Sequence, residues 1–339
     1  MKKKLFIMFI LLSLTGTFLY AGNEDRIGTT SGIQLLIPVG ARSVALGGGS
    51  ISSINGAEAM HYNPAGMSMY PKSEILFSNM GYIAGIDVNY LAGTFNGGNI
   101  GTFGLSLKSL SFGEIEETTE QFPDGTGNNY SPSFMVAGLS YSRLLTDRIS
   151  AGVTGKYIFE GIMQTSASTF ALDFGVQYSF NKNLYLGVTM MNVGGKLKYS
   201  GRNLEREFQI PGSTSDADQG YFEGVALASD IPSIFSFGIS YSLNIAEQNS
   251  LELSGNFSNL NDASDAIYGG LEYGFRDLVF LRGGYTMNAQ NQDNNIFGYS
   301  LGAGIQYPLG NFNIVIDYAY RQLTDYFDPN NIFTVKFGL

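Results

Sequence analysis

The sequence predicts an exported, all-β protein: a 14-stranded antiparallel transmembrane β-barrel preceded by an N-terminal plug. Three observations predict it. From Ser73 onward the chain divides into segments that alternate bulky apolar with polar residues. The connections are short after even-numbered segments and mostly long after odd-numbered ones. Five even-numbered segments end in one repeated Gly-apolar-polar-Tyr step.

The chain begins with Lys2, Lys3 and Lys4, an apolar run from Leu5 to Leu19, and Tyr20-Ala21-Gly22. A positive start, a short apolar core and small residues at its end read as a cleaved secretory signal peptide over residues 1–21. Ser13, Thr15 and Gly16 interrupt the run, which is too short for a membrane helix. Removing the three leader lysines from the 19 Lys and Arg leaves 16 against 29 Asp and Glu, a formal charge of −13. A chain this acidic does not hold nucleic acid through its phosphates. It has no Cys and one His, which excludes disulfides, thiolate metal sites and multi-histidine sites. Gly (44), Phe (25) and Tyr (21) against nine Pro suit many strands joined by tight turns.

Residues 22–72 form a separate N-terminal unit. They carry Gly47-Gly48-Gly49, Asn55-Gly56 and Asn63-Pro64-Ala65-Gly66, with little period-2 pattern. Pro64 fixes its own φ and pushes Asn63 out of the helical region, and Asn63 is suited to capping a turn with its side chain. The glycines permit tight or left-handed backbone. A solvent loop of this length would be atypical, so a compact element that sits inside a barrel is the expectation.

Residues 73–339 form the barrel. The expected strands are 73–81, 87–96, 100–110, 131–145, 148–160, 166–180, 184–195, 231–245, 249–260, 266–276, 278–288, 296–309, 312–323 and 331–339. Over residues 312–323, Ile314, Ile316, Tyr318 and Tyr320 alternate with Asn313, Val315, Asp317, Ala319 and Arg321. A soluble sandwich alternates too, but these segments exceed the roughly 5–6 residues of a typical soluble strand. They match the roughly 9–11 residues of a tilted membrane strand. Short turns such as Thr146-Asp147 and Gly310-Asn311 contrast with the long connections 111–130 and 196–230. That asymmetry separates short periplasmic turns from longer external loops. The connections 82–86 and 161–165 are the short exceptions.

The repeat places Tyr141, Tyr178, Tyr241, Tyr273 and Tyr307 at one strand depth beside the short turns. A ring for lipid and a hydroxyl for headgroups suit Tyr to a periplasmic-side aromatic girdle. Phe180, Leu243, Phe275 and Leu309 extend the apolar face in four repeats, whereas the first carries Arg143. The last strand alternates Phe333, Val335, Phe337 and Leu339 with Thr334, Lys336 and Gly338, and is expected to end the barrel.

Catalytic chemistry finds no support. His61 lies inside the plug unit beside Asn63, where a lone His is more often a structural hydrogen-bonder than part of a triad. Asp124, Asp216, Asp218 and Asp262 lack calcium-loop spacing with a closing Glu and read as solvated loop residues. No cofactor, metal or enzyme activity is expected. The informative charges are Lys156, Glu252, Glu272, Arg282, Asp317 and Arg321, with Lys336, all on the polar faces of strands. They line a lumen or hold the plug by ion pairs.

The stretch Gly40-Ala41-Arg42-Ser43-Val44-Ala45-Leu46-Gly47-Gly48-Gly49, followed by Asn55-Gly56-Ala57-Glu58-Ala59 and Tyr62-Asn63-Pro64-Ala65-Gly66-Met67, resembles the PorV/PorQ-like proteins of the FadL superfamily of outer-membrane barrels. Those proteins carry an acidic Asp-Asp-Ala-like step where this chain has Asn55-Gly56-Ala57-Glu58. The resemblance implies an integral barrel of the cell outer membrane whose plug blocks the lumen near the periplasmic side. It also implies association with type IX protein secretion or the handling of exported substrates. The alternative is a FadL-like channel for hydrophobic small molecules such as long-chain fatty acids and aromatics; a purely structural barrel is a third reading. The implied partners are outer-membrane lipid, and either secretion-machinery proteins or a hydrophobic ligand. An apolar set in the 196–230 loop, Phe208, Tyr221, Phe222, Val225 and Leu227, suits either partner.

Overall fold

A strand with one apolar and one polar side can cross a bilayer only if its backbone amides are paired on both edges. The computed structural model meets that condition with a closed wall of 14 long antiparallel strands. It describes residues 28–70, 72–208, 220–289, 296–324 and 327–339. The leader assigned to residues 1–21, Asp216 and Asp218 lie outside the described residues, as does the Phe208 side chain.

The wall runs β1 (Glu74–Gly81), β2 (Asp87–Asn96), β3 (Thr102–Ser111), β4 (Ser133–Leu144), β5 (Ile149–Ile162), β6 (Thr165–Ser179) and β7 (Leu184–Gly194). It continues with β8 (Ile234–Ala246), β9 (Asn249–Leu260), β10 (Ala266–Phe275), β11 (Val279–Asn288), β12 (Phe297–Leu309), β13 (Phe312–Leu323) and β14 (Asn330–Gly338). Each pairs with its chain neighbours, and β1 pairs with β14 from Glu74↔Gly338 to Gly81↔Asn331, which closes the barrel. Strand lengths reach 15 residues in β6. There Phe170, Leu172, Phe174 and Val176 face outward and exposed, while Ala171, Asp173 and Gln177 are buried inward.

The strands fall close to the expected positions. The largest departure is β8, which starts at Ile234 instead of 231. Pro232 has no amide to give the ladder, and its carbonyl accepts from Asn192 Nδ2 instead. The turn from β10 to β11 uses left-handed Arg276 and Asp277, a twist that suits tight hairpins. β7 bulges opposite Leu172 and Phe174 of β6. Asn192 there is left-handed, and its amide donates to the Asp173 side chain, at Oδ1 and 2.7 Å, instead of to a backbone carbonyl of β6.

Inside the wall lies the N-terminal segment, built from helices α1 (Ala41–Ala45) and α2 (Ala59–Tyr62) and 3₁₀ turns at Ile33–Leu36, Gly56–Glu58 and Pro64–Met69. Near its start, Thr30 Oγ1 donates to Asp262 and Ser31 N donates to Asp230 O. Both acceptors lie in connections after odd strands, the external end by the short-turn rule. Leu35 packs among Val136, Ile158, Ala167, Ala171, Leu197 and Ile231. Ile37, Val44 and Ala45 pack with Met80, Val88, Leu110, Ala319 and Ile332. Val39, Ile54, Met60 and Met67 pack with Leu76, Tyr90 and Ala92. The core of this protein is thus the lumen, filled by its own leading segment.

Candidate functional site

The Asn63-Pro64-Ala65-Gly66 motif folds as a key. Asn63 Oδ1 accepts from Ala65 N at 3.2 Å, which caps the turn that Pro64 starts. Asn63 Nδ2 donates to Ile51 O within the segment at 2.9 Å and to Val176 O in the wall at 3.3 Å. Gly66 has no room for a side chain, because a Cβ there would meet Ile54 O and the Ala59 side chain. The key seats on Gly152 and Gly175, which face each other across β5 and β6. A Cβ on Gly152 would lie 2.6 Å from Ala65 N, and one on Gly175 would lie 2.9 Å from Pro64 Cδ. Gln177 Nε2 adds bonds to Ile51 O and Ile54 O. Ser142 and Ser150 both donate to Ala65 O, at 3.0 and 2.6 Å. Asn63→Asp replaces two donors with a carboxylate facing two carbonyls. Loss of about 2–3 kcal/mol is expected, read as a lower urea midpoint in detergent.

Gly47 and Gly48 are left-handed, and Gly47 lies against the Tyr285 backbone; Gly49 lies against Ser254 Oγ. Beyond them Ser52 and Ser240 share a hydrogen bond at 2.6 Å.

Charge holds the other side of the segment. Arg42 Nε donates to Glu272 Oε2 at 2.9 Å, and its Nη2 lies 3.6 Å from Glu252 Oε1. Arg282 extends the chain, from Glu272 at 2.5 Å to Asp317 at 2.6 Å. Glu58, 1% exposed, pairs with Lys336 Nζ at 2.5 Å and accepts from Ser43 N at 3.0 Å. These groups line a cavity of about 520 Å³ at the short-turn end, together with Glu74, Tyr70, Gln177 and Tyr185. Of the lumen charges read from the sequence, Glu252, Glu272, Arg282, Asp317 and Lys336 therefore converge. Lys156 sits apart in a buried pair with Asp173 at 2.6 Å, and donates to Asn192 Oδ1. Arg321 lies toward the external end, bonded to Asn330 Oδ1, its guanidinium 3.9 Å above the Phe297 ring. Sequence reasoning missed Arg42 and Glu58 as charge partners although both stand in the quoted motif. Their polar character within an otherwise small and apolar stretch was the signal.

Burial alone would raise the Glu58 carboxyl, but the Lys336 ammonium, the Ser43 amide and Arg42 reverse this and hold it below the usual carboxylate range. A depressed carboxylate stabilises the fold fully above its unfolded value, 4.5, and that stability is lost as pH falls through the folded value. Resistance of the segment to proteolysis is expected to hold from pH 7 to about 5 and to fall below about 4.5. Glu58→Gln removes that acid-dependent part.

His61 packs edge-on against Tyr62, ring centroids 4.8 Å apart. Burial first, then the charges of Lys108 and Lys156, push its pKa well below the ordinary value, so it stays neutral. No nucleophile or acid is hydrogen-bonded to it among the described contacts. Tyr141, Tyr178, Tyr241, Tyr273 and Tyr307 all lie on the outward face near the short turns; Tyr241 and Tyr307 are the most exposed. Tyr141 donates to Ile100 O and Tyr273 to Asn249 Oδ1. At the other end, Tyr221, Phe222, Val225 and Leu227 stand exposed on the excursion between β7 and β8, with Leu227 90% exposed.

A closed 14-stranded antiparallel wall around its own leading segment defines a β-barrel of the outer-membrane type. The same architecture is found in the CymD monoaromatic hydrocarbon channel, at 13% identity and a TM-score of 0.56, covering 89% of this chain and 97% of that one. The Pseudomonas putida toluene transporter TodX matches at 13% identity and 0.57, covering 89% and 98%. The Ralstonia pickettii toluene transporter TbuX matches at 13% and 0.53, covering 89% and 97%. At these identities the likeness bears on the fold. No curated protein matches the chain in sequence. Residues 20–215 match the family described as type IX secretion system protein PorV, and the chain belongs to that family.

Proposed function

We propose that this barrel serves type IX protein secretion from its external face, with its lumen kept shut by the N-terminal segment acting as a plug. The observation that carries the reading is the packing of residues 30–70 along the lumen, from Thr30 at the external loops to Tyr70 at the periplasmic mouth. A barrel filled this way offers no conduit for a polypeptide, so its contribution lies in what its loops hold. The exposed Tyr221, Phe222, Val225 and Leu227 supply an apolar surface for a protein partner. The family match over residues 20–215 supports the same reading.

A second reading is uptake of hydrophobic small molecules. It is favoured by the apolar external half of the lumen, where Val88, Leu110, Val136 and Ile158 line the wall, and by the hydrocarbon transporters that share the fold. Deleting the gene and following both exported proteins and hydrocarbon uptake separates the two. Secretion service predicts cargo retained in the periplasm with uptake unchanged, and co-purification with outer-membrane secretion proteins. Normal export with impaired uptake, and a hydrophobic ligand extracted from the purified barrel, would replace the first reading with the second.

A further inference from the structure

We infer that the periplasmic rim between β4 and β7 is a binding site for the phosphate headgroups of anionic inner-leaflet phospholipid, held by Arg143, Arg148 and Lys182. The starting observation is the exception in the tyrosine repeat. After Tyr178, Tyr241, Tyr273 and Tyr307 the next outward position is Phe180, Leu243, Phe275 or Leu309, but after Tyr141 it is Arg143. On β4, Ser140 and Ser142 are buried inward and Leu139 is exposed outward, so Arg143 shares the outward face with Leu139 and Tyr141. Beside it, the Tyr141 ring packs 5.2 Å from that of Phe103. A guanidinium at a position that its sister strands fill with Phe or Leu must reach along its aliphatic stem to the headgroup level and find an anion there.

Two further cations stand on the neighbouring turns. Arg148 opens β5 from the turn that follows β4, and its carbonyl accepts from Ser179 N at the end of β6. Lys182 lies in the turn between β6 and β7. None of the three cationic heads has an ion-pair or hydrogen-bond partner among the described residues. Asp147 is the one acid on these two turns. Strands lie about 5 Å apart, so the three cations span roughly 10–15 Å, the width of one or two phospholipid headgroups. The rest of the short-turn rim differs: Glu247 stands between β8 and β9, and Arg276 with Asp277 between β10 and β11. A phosphate is favoured over an acidic protein partner because Arg143 projects from the lipid-facing wall and not from the tip of a turn.

The test reconstitutes the full barrel in vesicles of about one part phosphatidylglycerol to four parts phosphatidylcholine and weighs the lipid retained after mild detergent extraction by native mass spectrometry. Wild-type protein is expected to retain phosphatidylglycerol in excess of its share. Arg143→Leu, which installs a residue the sister repeats already use, is expected to fold normally and lower the enrichment about fivefold. The Arg148→Gln/Lys182→Gln pair is expected to lower it further, and Arg143→Lys to keep most of it. Heat-modified gel migration confirms a closed barrel in each variant. No enrichment in wild type, or unchanged enrichment in a correctly closed Arg143→Leu barrel, overturns the proposal. So does loss of a bound periplasmic protein instead of lipid.

Discussion

Gly152→Val is expected to unseat the N-terminal segment while leaving the wall closed. The side chain would enter space held by Pro64 and Ala65, backbone included, at the point where Gly152 faces Gly175 across two strands. A flexible neighbour could yield, but a proline carbonyl whose next amide is capped by Asn63 has no rotamer to change. The β5–β6 ladder itself does not involve the new Cβ, so the barrel keeps its hydrogen bonds. The expected phenotype is a folded barrel whose residues 40–70 are cut by added protease and whose conductance in planar bilayers rises clearly above that of wild type. Gly155→Val, three residues along the same strand and on its outward face, meets only ordinary contacts, Leu172 Cδ2 at 3.9 Å and Leu139 O at 4.0 Å, and serves as the control. If both variants behave like wild type, the segment does not depend on this socket.

Glu58→Gln is expected to cost about 3–5 kcal/mol, because it strands the Lys336 ammonium in the lumen wall without its carboxylate. Lys336→Met alone leaves Glu58 with the Ser43 amide and the more distant Arg42, and a similar loss is expected. The double variant Glu58→Gln/Lys336→Met removes both charges and is expected to recover most of that stability, since well-packed neutral groups replace a buried pair at little cost. Urea unfolding in detergent, followed by tryptic release of residues 28–70, reads all three. Additive losses in the double variant would show that the two side chains do not act as a pair.

The barrel was legible in the sequence because each strand meets two different solvents. Phe170, Leu172, Phe174 and Val176 had to be apolar for lipid while Asp173 and Gln177 had to be polar for the lumen, and that contrast survives as period 2. Turn parity and the tyrosine repeat then ordered the strands. The charge partners were not legible. Arg42 and Glu272 are 230 residues apart, and no local pattern says which strand depth a lumen segment will reach. Lys156 read as one lumen charge among seven, yet its partner is Asp173 beside a bulge that rests on one left-handed residue, Asn192. A single extra residue in a ladder leaves the alternation on either side intact and so escapes a reading based on period.

The segment from Thr30 to Tyr70 passes from one end of the ring to the other before it becomes β1, so the wall surrounds it on every side. A hoop around a folded core is most simply made by wrapping. β2 through β13 can curl around α1, α2 and their turns while the seam is still open. The ladder from Glu74↔Gly338 to Gly81↔Asn331 then becomes the final zip, locking in the cargo that shaped the curl. Because that seam joins the two sequence extremes of the wall, it also carries the largest loop-closure entropy, which places it late in assembly on kinetic grounds as well.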